Sequence, residues 1–179
     1  PQMGQNHAFE QVPGDHPLLL LLADIAAAHD VPIDIHYDAA PEDLELPTFL
    51  RNGRNPDRMG ANIDGFKRLL AHNPKARIVW SHVGQEPIQT RGPPLVRRLM
   101  RAFPNLYMSF RVTQGGPPRT MALDPELRLK APWIELLREF PDRFMLGSDT
   151  SYTAAGPGAR GGTGQGPDTL RPLVDHLPP

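Results

Sequence analysis

An α/β chain built on a parallel sheet is predicted by three features of the sequence. Three short apolar runs, Val31–His36, Arg77–Gly84 and Arg143–Asp149, read as buried strands. Helical stripes of apolar residues stand between them, and each strand-then-helix step must return the chain to the same end of the sheet, which makes neighbouring strands parallel. The runs also stop on reactive side chains: His36, His82 and Asp149. In parallel α/β architectures, ligands and chemistry gather at the carboxyl ends of the strands.

Taken in order, residues 1–16 have neither helical nor strand period, contain the turn signal Pro13-Gly14, and read as a loop bordering the site. Asp15 is placed to cap a helix that starts near Pro17 and runs through Leu20, Ile25 and Ala28. Its Leu18–Leu22 run is closed by Asp24, His29 and Asp30, well short of the roughly 18 apolar residues of a membrane span. The first strand, Val31–His36, leads into a long polar loop through Pro41, Pro47 and Pro56. A helix from about Ala61 then carries Ile63, Phe66, Leu69 and Leu70 on one face. After the second strand, Arg77–His82, Pro93 and Pro94 open a helix with Leu95, Val96, Leu99, Met100 and Phe103 at helical spacing. Leu106–Arg111 is the third strand. A loop with Gly115, Gly116, Pro117 and Pro118 precedes a helix from about Pro132 with Trp133, Leu136, Leu137 and Phe140 in phase. The fourth strand, Arg143–Asp149, is followed by a glycine-rich loop over 154–166 and a short helix from Asp168, interrupted by Pro172. Four such units make half of a (β/α)8 barrel, and 179 residues suit one domain, spanning 1–179.

Composition narrows the partner. Nineteen Lys and Arg against twenty Asp and Glu leave a net charge of −1, with no basic block of the kind that marks a nucleic-acid or membrane surface. A small-molecule partner is the expectation, for a soluble chain placed in the cytoplasm rather than the periplasm. The sequence contains no cysteine, which excludes disulfides, thiolate metal sites and cysteine nucleophiles. A metal site must then use histidine and carboxylate. With 22 prolines and 16 glycines, most of them between the periodic segments, long functional loops are implied. The chain begins Pro-Gln, so the lack of a signal-peptide pattern carries little weight.

Strand alternation assigns faces. His36 falls with Asp34, His82 with Trp80 and Ile78, and Asp149 with Gly147 and Met145. On the third strand, Leu106, Met108 and Phe110 turn to the helices, leaving Tyr107, Ser109 and Arg111 to face the site. A histidine that ends one strand is as often structural as functional, but three converging strand ends favour a site, and His, His and Asp are the common donors to a zinc-type ion. Asp149 has a competing reading as a cap in Ser148-Asp149-Thr150-Ser151. Trp80 reads first as core and second as a substrate platform. Arg111 reads equally as a clamp for a substrate carboxylate and as a surface residue, and Asp34 stays undecided. Gly161-Gly162-Thr163-Gly164 lacks the lysine and spacing of a phosphate loop.

Pro32–His36, Ile78–Gly84 and Phe144–Asp149 together resemble strands five, six and eight of the amidohydrolase-related metal-dependent hydrolases, which are TIM barrels. The resemblance implies His36 as a metal ligand, His82 as a ligand or as a group beside the metal's water, and Asp149 as a ligand or acceptor of that water's proton. It implies a divalent ion, zinc first with manganese or iron as alternatives. Arg111, Trp80 and Tyr107 become candidates for binding substrate. The implied reaction is hydrolysis of a small amide, ester or lactone; the alternatives are non-oxidative decarboxylation of an aromatic or muconate-type acid, or a metal-free lactonase-like site. The family's first-strand His-x-His pair has no counterpart, since His7, His16, His29, His72 and His176 are isolated. The chain is therefore expected to supply the C-terminal half of the barrel, about strands five to eight. A non-catalytic half-barrel module that self-associates through open sheet edges is the reading from another class.

Overall fold

The computed structural model describes residues 12–48, 51, 57–84, 88–111, 121–126 and 128–147. Its main element is a four-stranded parallel sheet in the order β1-β4-β5-β6, formed by β1 (Ile33–Ile35), β4 (Ile78–Val83), β5 (Leu106–Phe110) and β6 (Phe144–Leu146). All three pairings are parallel, with Ile35 beside Trp80, Trp80 beside Met108 and Met108 beside Phe144. The four expected strands are thus present, in consecutive order. The loop after β1 adds what alternation did not predict, a two-stranded antiparallel ribbon of β2 (Leu44–Glu45) and β3 (Arg58–Met59).

Helices α2 (Ile63–His72), α3 (Pro93–Ala102) and α4 (Ala131–Glu139) follow their strands and bury their predicted stripes. Pro at the first turn suits both α3 and α4, because the missing N–H would have no intrahelical acceptor there. Against them the sheet places Ile35, Ile78, Trp80, Leu106, Met108 and Phe110, all buried, so the core lies between helices and sheet. The opposite face is more polar, with Asp34, Ser81, Tyr107 and Ser109.

Helix α1 (Pro17–Ala28) precedes β1 and packs on α2. Its cap corrects the sequence reading: the imidazole of His16, not Asp15, accepts from the Leu18 N–H at 3.2 Å. Asp15 instead accepts from Arg68 of α2 at 2.7 Å. Gly14 explains the closeness of the two elements, since a Cβ there would lie 2.6 Å from the backbone nitrogen of Phe66. The helix ends in a Schellman turn: Asp30 is left-handed, with φ 53°, the Val31 N–H reaches the Ala26 carbonyl at 3.0 Å, and that of Asp30 reaches Ala27.

Candidate functional site

Two of the three expected strand ends meet. The rings of His36 and His82 lie 4.7 Å apart between centroids at an interplanar angle of 61°. Simple alternation would have kept them apart, because Trp80 and His82 share parity and Trp80 points into the helix-side core. The register between β4 and β5 shifts between Trp80 and Val83, and within that bulge His82 is left-handed, with φ 63°. A bulge re-aims a side chain and left-handed backbone is uncommon for any residue but glycine, asparagine or aspartate, with histidine among the tolerated exceptions. Gly84 continues the turn at φ 92°, where a Cβ would meet the Arg111 carbonyl oxygen at 2.9 Å. The expectation that Ile78 and Trp80 share the site's face is therefore corrected: the bulge changes the phase of the strand just before the histidine.

His36 sits at the end of β1, half-buried, and both ring nitrogens are shielded from solvent without a hydrogen bond among the described residues. Asp38 forms an ion-pair contact with it, Oδ2 lying 3.6 Å from Nε2, too far for a hydrogen bond. Asp38 is nearly fully buried and is paired with Arg91, whose Nη2 donates to Oδ1 at 3.1 Å. Arg91 also donates through Nη1 to the Ser81 carbonyl, and its guanidinium lies 5.3 Å from the Trp80 ring centroid.

Residues 37–40, all buried, are held from two sides. From β4 and the segment after it, Trp80 Nε1 donates to the Tyr37 carbonyl at 2.7 Å, and Thr90 Oγ1 donates to the Ala39 carbonyl at 2.6 Å. From the start of α2, Asn62 Nδ2 donates to the Asp38 carbonyl at 2.9 Å and its Oδ1 accepts from the Ala40 N–H at 2.7 Å. Tyr37 stacks on Phe66 and donates to the Asn62 carbonyl at 3.0 Å, and burial pushes its phenol up from the ordinary tyrosine value. The backbone that carries His36 is accordingly fixed, although it is a loop.

The remaining candidates separate. Trp80 lies in the core, fully buried against Phe66, and has no place on the site's face. Tyr107 is on that face, half-buried beside Val79, and Ser109 lies next to Met145. Arg111 follows β5 with its N–H on the Val83 carbonyl at 2.8 Å, level with the bulge. Asp34 is exposed and accepts a hydrogen bond from Ser81 Oγ, and Arg77, at the start of the second strand, pairs with Asp30 at 3.0 Å. Asp149, the glycine-rich loop 154–166 and the helix from Asp168 lie outside the described residues, as do residues 1–11. The sequence reading missed Asp38, Asn62 and Arg91. For Asp38 a signal was there, since Asp34, His36 and Asp38 continue one period-2 row past the end of the strand. Asn62 and Arg91 have no such pattern.

The sequence matches the family described as Amidohydrolase over residues 6–161, most of the chain. The chain belongs to the amidohydrolase family. No curated protein matches it. Among solved structures, the crystal structure of dihydroorotase from Campylobacter jejuni is similar at 18% identity and a TM-score of 0.42, with 86% of this chain and 43% of that one covered. The chain thus spans less than half the length of that protein. The family generally works with a metal, and the described residues fit one in part: two imidazoles meet edge-on at strand ends, and the buried ring nitrogens of His36 make no hydrogen bond among the described residues. Among the described residues no group of three His, Cys, Asp or Glu side chains gathers to hold an ion. An ion held by this pair would need a further donor beyond those two imidazoles.

Proposed function

We propose that this amidohydrolase chain carries the C-terminal strand ends of a metal-dependent hydrolase acting on an amide, ester or lactone of a small molecule. The observation that carries the reading is the His36–His82 pair, which a costly left-handed bulge brings together and in which the buried His36 nitrogens make no hydrogen bond among the described residues. His36 and His82 would hold the ion, with Asp149 as the third donor on the sequence match. Zinc suits nitrogen and carboxylate donors best, with manganese or iron as alternatives. A divalent ion bound there supplies a water of pKa near 7 and polarises the substrate carbonyl. Asp149, with a second carboxylate oxygen to spare, would take and return the protons of attack and departure; where His82 stands beside the water instead of ligating, it would share that role. Arg111 binds a substrate carboxylate with its planar fork, and Tyr107 lines the same face.

The same reading makes the sheet half of a (β/α)8 barrel, strands five to eight, within a single domain over 1–179. Among the described residues β1 and β6 are edge strands, and apolar side chains remain exposed on α1 (Leu18, Leu21, Leu22 and Ile25), at Val31 before β1, and at Met145 and Leu146 of β6. A closed barrel would cover both edges.

The test is metal content per chain, by elemental analysis of protein purified without chelator or metal-affinity resin. About one divalent ion per chain is expected, falling to background in His36→Ala and His82→Ala. A metal-free protein that still hydrolyses its substrate would overturn the metal reading. Full activity of His82→Ala would overturn the site.

A further inference from the structure

Among the described residues the buried polar side chains are Asp38, Ser81, Arg91 and Asn105, and three of these form one group beneath the two histidines. Arg91 is the costliest member. It is fully exposed to the low dielectric of the core, with no part of it reaching solvent, and replacing a buried ion pair by apolar residues is often neutral or stabilising. Its worth to the protein is therefore to be sought in orientation.

We propose that Arg91 is the positioning residue of the site: one guanidinium ties the Asp38 carboxylate behind His36 to the Ser81 carbonyl before His82, holding both imidazoles in one frame. The inference rests on reading those histidines as the ion-holding pair. On the β1 side, Nη2 fixes Oδ1 of Asp38, and the other oxygen of that carboxylate stands 3.6 Å from Nε2 of His36. A carboxylate behind a ligating imidazole orients the ring and raises its basicity. On the β4 side, Nη1 holds the carbonyl of the Ser81–His82 peptide. Fixing that peptide plane fixes the nitrogen about which the φ of His82 turns, and φ 63° persists only where the surroundings over-determine it. The Trp80 ring 5.3 Å from the guanidinium carbon gives the cation a face to rest on, and Thr90, one residue earlier, binds the Ala39 carbonyl. A lysine has the charge but not the rigid fork that spans both acceptors.

The experiment compares the full chain with Arg91→Met, Arg91→Lys and the double variant Asp38→Asn/Arg91→Met, which removes both buried charges and so avoids an unpaired ion. Three quantities are read: Co2+ affinity with its visible absorption spectrum, the nuclear Overhauser contact between the His36 and His82 rings in metal-free protein, and the urea midpoint. Expected are a Co2+ affinity weaker by about 10- to 100-fold, an altered spectrum and loss of the ring contact in all three variants, with each still folded. A merely structural Arg91 would lower the urea midpoint and leave affinity, spectrum and ring contact of the folded molecules unchanged; that outcome overturns the proposal. If the wild-type chain takes up no Co2+, the metal reading fails by itself, and the ring contact decides about Arg91: retained in the double variant, it sinks the positioning role; lost, it upholds it.

Discussion

Trp80 and Gly84 show how a single position decides what the site is. Trp80 spans the core and donates its indole N–H to the buried Tyr37 carbonyl, so Trp80→Phe leaves that acceptor without its partner. The expected loss is about 1–3 kcal/mol of unfolding free energy. Urea unfolding measures it, and a substrate platform would instead show itself as a raised KM at unchanged stability. Gly84→Ala puts a methyl group at φ 92°, 2.9 Å from the Arg111 carbonyl oxygen and 3.1 Å from the Phe110 ring. Both the left-handed backbone and the contact oppose it, and a loss of about 1–3 kcal/mol is expected in the same assay. Stability equal to wild type would mean that the turn after His82 is looser than its geometry implies.

The helices are joined at their surfaces by carboxylates, and this sets a pH dependence. Asp24 of α1 is held below the usual aspartate range by its bonds to His72 and Asn73 at the end of α2. Glu139 of α4 is likewise held low, chiefly by Arg101 of α3 and also by Arg97. A carboxylate with a depressed folded pKa adds stability above its unfolded pKa and loses it as the pH falls through the folded value. The loss therefore falls below pH ~4. In urea midpoints measured from neutral pH into the acid range, Asp24→Asn and Glu139→Gln should each lie below wild type at neutral pH and converge on it in acid. Parallel curves would show that these pairs contribute nothing to the titration. The strands and helices themselves were legible in the sequence because their signals are local: Leu95, Val96, Leu99 and Met100 repeat with the helix, and Leu106, Met108 and Phe110 with the strand. The facing of His82 was not, because a bulge is set by one backbone angle and its neighbours across the sheet. Nor was the Arg91–Asp38 pair, which joins residues 53 apart in sequence through packing alone. The place of His36 at the end of the first strand was legible, because it closes an apolar run.

Among the described residues, a four-stranded parallel sheet carries helices on one face. Parallel sheets normally have both faces covered, or close into a barrel whose interior is filled by side chains. Here the face opposite the helices bears Asp34, Ser81, Tyr107 and Ser109, and exposed apolar side chains lie on α1, at Val31 before β1 and on the edge strand β6. Leu18, Leu21, Leu22 and Ile25 follow i, i+3, i+4, i+7 spacing, so α1 has a second apolar stripe in addition to the Ala23 and Ala26 it buries. On the half-barrel reading the 179-residue chain, taken alone, should associate with itself, β1 of one copy meeting β6 of another, since that direction keeps all strands parallel. Sedimentation velocity from micromolar concentrations upward should show a dimer or larger species. Leu21→Glu/Ile25→Glu should shift it towards monomer while altering unfolding free energy by only about 0.5 kcal/mol, because both residues are surface positions about half exposed. A wild-type chain that stays monomeric throughout that range would remove the half-barrel reading and leave the two-histidine site to be explained on an open sheet.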